Sequence, residues 1–228
     1  MASQEGTKKV LVLGGDGYLG NALVPYLKSH GMDAIGFDNG LRDRNVKAMG
    51  SDSLFPVKFH SVSLDVCDYR ALKSRIEMYK PDAIVHFAEQ PSAPWSMASA
   101  ANAAETQRNN VVGTMNLLWA VKEAKPDCHV IKLGTAGMYP DWLYQDKTVP
   151  EGPRINVQYE GKDWEIPTPR YAGSWYHFSK LFDSFNVDYA CRIWNLRATD
   201  LNQGIVYGHV DGTRFDYDSA FGTVINRF

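Results

Sequence analysis

Cysteine is scarce. The 228 residues hold three, Cys67, Cys128 and Cys191, an odd number set far apart with no C-x-x-C pair. That argues against a disulfide framework and for a reduced, cytosol-like compartment. An excess of positive charge is missing too: 24 Lys and Arg stand against 26 Asp and Glu, a formal charge of -2, so the chain lacks the electrostatic footprint of a nucleic-acid binder. No apolar run approaches the ~18 residues of a membrane span. Met1 to Lys9 carries Glu5 and only two lysines, so no signal, transit or transmembrane segment is read, and a cytoplasmic protein is expected. Neither nucleic acid nor membrane is expected as a partner. Internal repeats and low-complexity linkers are also lacking, which leaves a tail over 1–7 and one domain from 8 to 228. What is present is 44% hydrophobic and 12% aromatic residues. At this length folding buries roughly 70 to 75% of the extended chain's surface, enough for a core without metal or disulfide staples.

The apolar run Val10 to Leu13 reads as a strand buried on both faces, and a glycine-rich turn follows it. Tyr18 to Leu27 has helical spacing; strands are predicted over Ala34 to Phe37 and Val57 to Leu64, and a helix over Tyr69 to Tyr79 with Asp68 as its N-cap. Ala83 to Phe87 and Val130 to Leu133 read as further strands around a long helix that contains Val111 to Val121. Alternation with short links predicts an α/β fold, a doubly wound parallel sheet with helices on both faces. Gly134 to Tyr171 breaks the pattern and reads as a lid or insertion without a core of its own. A helix from near Ser174 to Phe185 and a strand over Ala190 to Leu196 follow, and no complete element is read after Arg197.

Gly14-x-x-Gly17-x-x-Gly20 lies at the first strand-to-helix junction. There a dinucleotide's pyrophosphate approaches bare backbone and a helix N-terminus. A tight turn without a ligand would use glycines as well, so the context decides. Asp38 ends the second strand, where a carboxylate holds the adenosine ribose and repels a 2′-phosphate, which favours NAD over NADP; Arg42 and Arg44 nearby soften that preference. Asp65 and Val66 end the third strand, where they meet the adenine or form a plain capping turn.

Y-x-x-x-K occurs twice, as Tyr69 to Lys73 and Tyr176 to Lys180, so position must choose. The first pair belongs to a helix before the fourth strand, at solvent. The second opens the helix after the fifth strand, at the nicotinamide end of a doubly wound fold. Residues i and i+4 share a helix face, so Lys180 reaches the cofactor ribose while its charge favours the Tyr176 phenolate, and Thr135 hydrogen-bonds the same substrate oxygen. Bringing a tyrosine from pKa ~10 about 3 units toward neutrality takes roughly 4 kcal/mol, which a lysine and a positive nicotinamide ring supply between them.

On these residues the chain resembles the extended short-chain dehydrogenase/reductase superfamily, with its Rossmann fold, and within it the NAD-dependent epimerase/dehydratase family. The matching segments are Gly14 to Tyr18, Asp38-Asn39, His86 to Gln90, Ser92 to Pro94, Asn109-Asn110, Lys132 to Thr135, Tyr176 to Lys180 and Arg197 to Gly204. The last segment, with Tyr217-Asp218 and Phe221 to Thr223, is specific to the sulfolipid-forming branch. The resemblance implies NAD held by Gly14, Asp16, Gly17, Tyr18, Leu19, Gly20, Asp38, Asn39, Arg42, Asp65, Val66, Phe87, Ala88, Glu89, Asn109 and Leu133 together with Tyr176 and Lys180. It implies a substrate cleft lined by Gln90, Ser92, Asn110, Thr135, His177, Thr199 and Gln203, no metal, and a homodimer. The implied reaction converts UDP-glucose and sulfite to UDP-sulfoquinovose by transient oxidation at the glucose C4, with Tyr176 as base, Lys180 tuning it and Thr135 orienting the hydroxyl. His177 serves the C5 proton, binds substrate, or is a helix-surface histidine.

Three features depart from that branch. Pro91 replaces an arginine expected to bind the nucleotide sugar, and Met138 replaces a glutamate three residues after the threonine; the branch also continues past Phe228 into a second domain that grips UDP. Another nucleotide-sugar epimerase or dehydratase, and an NAD-binding module without turnover, therefore stay open as alternatives. The absence of an adjacent Asp-Glu pair after Thr135 argues against a 4,6-dehydratase.

Overall fold

Leu11 and Leu13 join one apolar cluster and Val10 and Val12 another, and all four are buried, so the first strand must lie inside a sheet covered on both sides. A computed structural model, describing residues 6–48, 61–139, 154–167 and 170–208, shows how. In chain order the strands are β1 (Lys9–Leu13), β2 (Asp33–Asp38), β3 (Val62–Ser63), β4 (Ala83–His86), β5 (His129–Thr135), β6 (Arg154–Tyr159), β7 (Lys162–Pro167) and β8 (Arg197–Gln203). Six of them form a parallel sheet in the order β3-β2-β1-β4-β5-β8. The order reverses between β1 and β4, and ligands of open parallel sheets bind in the crevice at such a point.

The helices are α1 (Tyr18–Ser29), α2 (Leu41–Ala48), α3 (Tyr69–Tyr79), α4 (Ala93–Met97), α5 (Ala100–Gln107), α6 (Gly113–Ala124) and α7 (Trp175–Trp194). On one face Val24, Leu23 and Leu27 of α1 pack on Val10, Val12, Ala34 and Val85. On the other, Leu72 and Ile76 of α3, Leu117 and Val121 of α6, and Val187 and Ala190 of α7 pack on Leu11, Leu13, Phe37, Ile84 and Val130. The doubly wound reading therefore holds. Asp68 caps α3 by accepting the Ala71 N–H at 3.0 Å.

Two expectations near the end of the chain need correction. Ala190 to Trp194 is the last turn of α7, not a strand, and the strand is Arg197–Gln203, where no element was expected. The buried positions of α7, Tyr176, Ser179, Lys180, Leu181, Asp183, Ser184, Val187 and Ala190, recur at helical spacing, but half of them are polar or charged, so the apolar pattern hides how far the helix runs. Asn195, in the left-handed region at φ 53, ends it. β8 reads Arg-Ala-Thr-Asp-Leu-Asn-Gln, with too few apolar residues to signal a strand; seven residues of parallel pairing with β5 make it one.

Within the segment expected to be a lid, β6 and β7 form an antiparallel hairpin that turns at Glu160 and Gly161, both at positive φ. It is joined to α7 by Arg154 and Asp188 at 3.4 Å. The rest of that segment over 140–153 and 168–169, the beginning of the third expected strand, and the motifs beyond 208 lie outside the described residues.

Candidate active site

The glycine turn is built by exclusion. Gly14 and Gly15 donate their N–H groups to the Phe37 carbonyl at 2.7 and 3.0 Å, which folds the turn over the end of β2. Gly14 has φ +82, and a Cβ there would meet Phe87 C at 2.6 Å and Ala88 N at 2.7 Å; one at Gly20 would meet Gly14 O at 2.1 Å. No side chain can stand where these backbones cross. Gly17 precedes α1 without a side-chain cap, so the first N–H groups of that twelve-residue helix face a cavity of about 570 Å³.

At one end of the cavity lie Gly14, Gly17, Tyr18, Leu19, Gly20, Asp38, Asn39 and Arg42. Asp38 accepts the N–H groups of Asp16 at 3.1 Å and Gly40 at 2.7 Å, while burial pushes its carboxyl above the ordinary carboxylate range. Asp16 thus contributes a backbone donor to Asp38, and its own side chain does not line the cavity. Asp65 accepts the Cys67 N–H at 2.8 Å and forms a local turn, the plainer of its two readings, whereas Val66 and Leu64 line the wall.

At the other end stand Thr135, Tyr176, His177 and Lys180, with Phe87, Ala88, Glu89, Asn109 and Leu133 between. The parallel register sets Thr135 of β5 opposite Gln203 of β8, so both reach the cleft. Ser174 caps α7 by accepting the His177 N–H at 3.2 Å, and Ser96 accepts that of Tyr176 at 3.1 Å. Thr135 hydrogen-bonds the Tyr176 hydroxyl, but burial outweighs it and pushes the phenol up to about 12. Lys180 donates to the Leu133 carbonyl at 2.6 Å and pairs with Glu89, with its ammonium 5.9 Å from the centre of the Tyr176 ring. The expected drop of the Tyr176 pKa is therefore not produced by the chain's own charges.

Several expected substrate residues turn inward. The Gln90 side-chain amide donates to Thr106 at 2.7 Å and to the Ser92 carbonyl at 3.1 Å, and its oxygen accepts the Ser92 N–H. Ser92 caps α4 through the Trp95 N–H. Asn110 is fully buried, accepting the Gln90 N–H at 2.7 Å and donating to Ser179 at 2.8 Å. Thr199 lies opposite Ile131, four residues down β8 from the cleft, and bonds His129 at 2.9 Å. These groups brace the site; Gln90 still lines the cavity, whereas Ser92, Asn110 and Thr199 do not.

A π-helical turn over Arg108–Val112 joins α5 to α6 and carries both Asn109, at the cavity wall, and Asn110, behind it. Spacing alone does not reveal such a turn. Sequence reasoning also passed over Leu41, Asn45, Gly137, Tyr139, Ile205 and Val206, all of which line the cavity. His177 lies so close to Gly137 that a Cβ there would meet its Nε2 at 2.4 Å. Pro91 lines the wall, whereas Met138 is fully buried and does not.

A glycine turn against an uncapped helix N-terminus, a carboxylate at the end of β2 and a Thr, Tyr and Lys set at the end of β5 and the start of α7 define a Rossmann-type dinucleotide-binding domain. These residues fit the cofactor: the cavity runs unbroken from Asp38 to Lys180. Residues 10–228 match the model of the NAD dependent epimerase/dehydratase family, and the chain belongs to it. Among curated relatives, it is 40% identical over 98% of its length to the chloroplastic UDP-sulfoquinovose synthase of Spinacia oleracea and 38% identical over 96% to the UDP-sulfoquinovose synthase of Sulfolobus acidocaldarius. It spans 51% and 61% of those relatives. Its fold is similar to a UDP-glucose 4-epimerase of Thermotoga maritima solved with UDP-glucose, at TM-score 0.68 and 20% identity over 96% of this chain and 61% of that one. A Thermus thermophilus UDP-glucose 4-epimerase in complex with NAD gives TM-score 0.62 and 23% identity over 90% and 59%. Among the described residues, no group of His, Cys, Asp and Glu could hold a metal, and no helix is long and apolar enough to cross a membrane.

Proposed function

We propose that the chain binds NAD and carries the redox half of a UDP-sulfoquinovose synthase, acting on UDP-glucose and sulfite. The observation that carries this reading is the convergence of Thr135, Tyr176 and Lys180 at one end of the cavity whose other end holds Asp38. The glycine turn, Asp38 and Lys180 would hold NAD, which would supply a hydride acceptor for C4 and the positive ring charge that Tyr176 lacks. Tyr176 takes the C4 hydroxyl proton, and Thr135, already bonded to the Tyr176 hydroxyl, holds the same oxygen. Lys180 keeps a positive charge beside the phenol, and its bond to Leu133 fixes its reach. The ketone at C4 acidifies the C5 proton, water leaves across C5 and C6, and sulfite adds at C6. His177 faces the same space; burial lowers its pKa, and Ser174 bonds its Nδ1 at 2.9 Å, which suits it to take the C5 proton as a neutral base.

Two further parts of the reading rest on an exposed helix face and on the thiols. α7 presents Trp175, Phe182, Phe185, Tyr189 and Ile193 along one exposed stripe. A second copy of this chain, packed helix to helix, is the occupant that suits it. The free thiols of Cys67, Cys128 and Cys191 suit a reduced compartment such as the cytoplasm.

Incubation of the chain with NAD, UDP-glucose and sulfite, followed by mass spectrometry, tests the function. A sulfonated nucleotide sugar is expected. A 4-keto-6-deoxy sugar without sulfur, or an epimer alone, would move the chain to another branch of the family, and NAD binding without any conversion would leave a binding module. Light scattering tests the pairing, with a monomer as the contrary result.

A further inference from the structure

Behind Lys180 lies a cluster of buried charge that the proposed chemistry does not use. Parallel register sets His86 of β4 beside Lys132 of β5 and Lys132 beside Asp200 of β8, so three polar side chains form one row across the sheet. Lys132 is fully buried and lies 3.4 Å from Asp200, whose second oxygen accepts from Ser184 of α7. Above the row α7 brings Lys180 and, one turn on, Asp183, which is fully buried with no hydrogen-bond donor in bonding geometry at either carboxylate oxygen. The charged and titratable groups that face Asp183 are Lys132 of β5, Lys180 and Tyr176 of α7 and Asp200 of β8, and the Thr114 hydroxyl of α6 is turned to it as well. Glu89 and His86 close the far side of Lys180.

A buried carboxylate without donors is costly, and such groups persist where nearby charges answer them. Apart from the Thr114 hydroxyl, what faces Asp183 is charge, from Lys132, Lys180 and Asp200. Its neighbours are the two ammoniums, and one of them belongs to the redox pair. We propose that Asp183 is a positioning residue that acts through Lys180: with Lys132 and Asp200 it holds the Lys180 ammonium in its charged form beside Tyr176. This rests on reading Tyr176 and Lys180 as the working pair. Three carboxylates, Glu89, Asp183 and Asp200, face two ammoniums, so the cluster has room for one extra proton. Burial pushes Asp183 up to about 6, which makes it the group that takes that proton. Burial also draws Lys180 down to about 8, and Asp183 and Asp200 oppose that fall.

The test follows the lysine itself and needs no turnover. The full chain, with 13C at the lysine ε-carbon, is titrated by NMR, and the Lys180 signal is identified by its loss in Lys180→Met. In the unmodified chain Lys180 should titrate near pH 8 and show a second, smaller step near pH 6 as Asp183 loses its proton. In Asp183→Asn the main midpoint should fall by on the order of one pH unit, and the small step should vanish. Asp188→Asn, an acid further along α7 paired with Arg154 and Arg192, should leave both unchanged. An unshifted midpoint in Asp183→Asn would overturn the proposal. If that variant does not fold, the absence of the step near pH 6 in the unmodified chain does the same. Failure of the sugar chemistry with these titrations intact would reject the proposed function and leave the cluster standing.

Discussion

The ammonium of Lys180 donates to the carbonyl of Leu133 at 2.6 Å, which ties the first turns of α7 to the end of β5 two residues before Thr135. The hydroxyl and the amine of the set proposed to react are thereby held by one bond between two elements that are far apart in the chain. Loss of a group at this junction should be felt in catalysis far more than in binding.

Tyr176→Phe should retain NAD and lose turnover by about 10²- to 10⁴-fold, the usual worth of a positioned acid or base. Fluorescence titration with NAD and mass-spectrometric assay of the product check the two halves. A rate equal to that of the unmodified chain would remove Tyr176 from its role.

Asp38→Ala should relax discrimination between NAD and NADP, because the half-buried carboxylate proposed to repel a 2′-phosphate is gone while Arg42 remains at the same end of the cavity. Competitive titration of the two cofactors reads this directly. A preference that survives the substitution would mean that the Asp38 contacts with Asp16 and Gly40 only shape the turn.

Gly20→Ala places a methyl 2.1 Å from the Gly14 carbonyl oxygen, so α1 must move away from the turn. Overpacking of this kind costs typically 1 to 3 kcal/mol, roughly. A lower melting temperature and an NAD affinity weakened at least tenfold are expected; unchanged affinity would mean that the helix N-terminus is not where the pyrophosphate lies.

His86 gives stability a pH dependence. Burial, then the Lys180 and Lys132 ammoniums, push it down to about 3, below the ~6.5 of an unfolded histidine. Between those values the unfolded chain binds a proton that the folded chain refuses, so this contribution is complete above about pH 6.5 and is lost as pH falls, by up to about 1.4 kcal/mol per unit. Asp183, raised to about 6, acts with the opposite sign from about pH 4 to 6. Comparison with His86→Asn isolates the histidine: urea midpoints at pH 7.5 and 5.5 should differ less in the variant. Equal differences in the two proteins would show that His86 does not titrate this way.

The glycine turn, Asp38 and the Tyr176 to Lys180 spacing are local features, legible because a turn's dihedrals, a strand's end and one helical turn are each fixed by neighbours in the chain. The π turn that splits Asn109 from Asn110 and the burial of Gln90 were not legible, since both depend on which segments meet across β4 and α7. The strand at Arg197–Gln203 was missed for the same reason: its polar side chains find their partners, His129 and Lys132, only once β5 lies beside it.

The sequence by itself determined the alternation of strand and helix, the bare turn and the choice of a carboxylate at the end of β2, because hydrophobic period, glycine's missing Cβ and short-range spacing act within a few residues. Only the tertiary structure decided that buried Lys132 and Asp183 and half-buried Asp200 meet behind Lys180, and that Thr199 faces away from the cleft. Charge interactions fall off with distance and with exposure to water, so their strength is set by a packing that brings residues from β5, α7 and β8 together and excludes solvent.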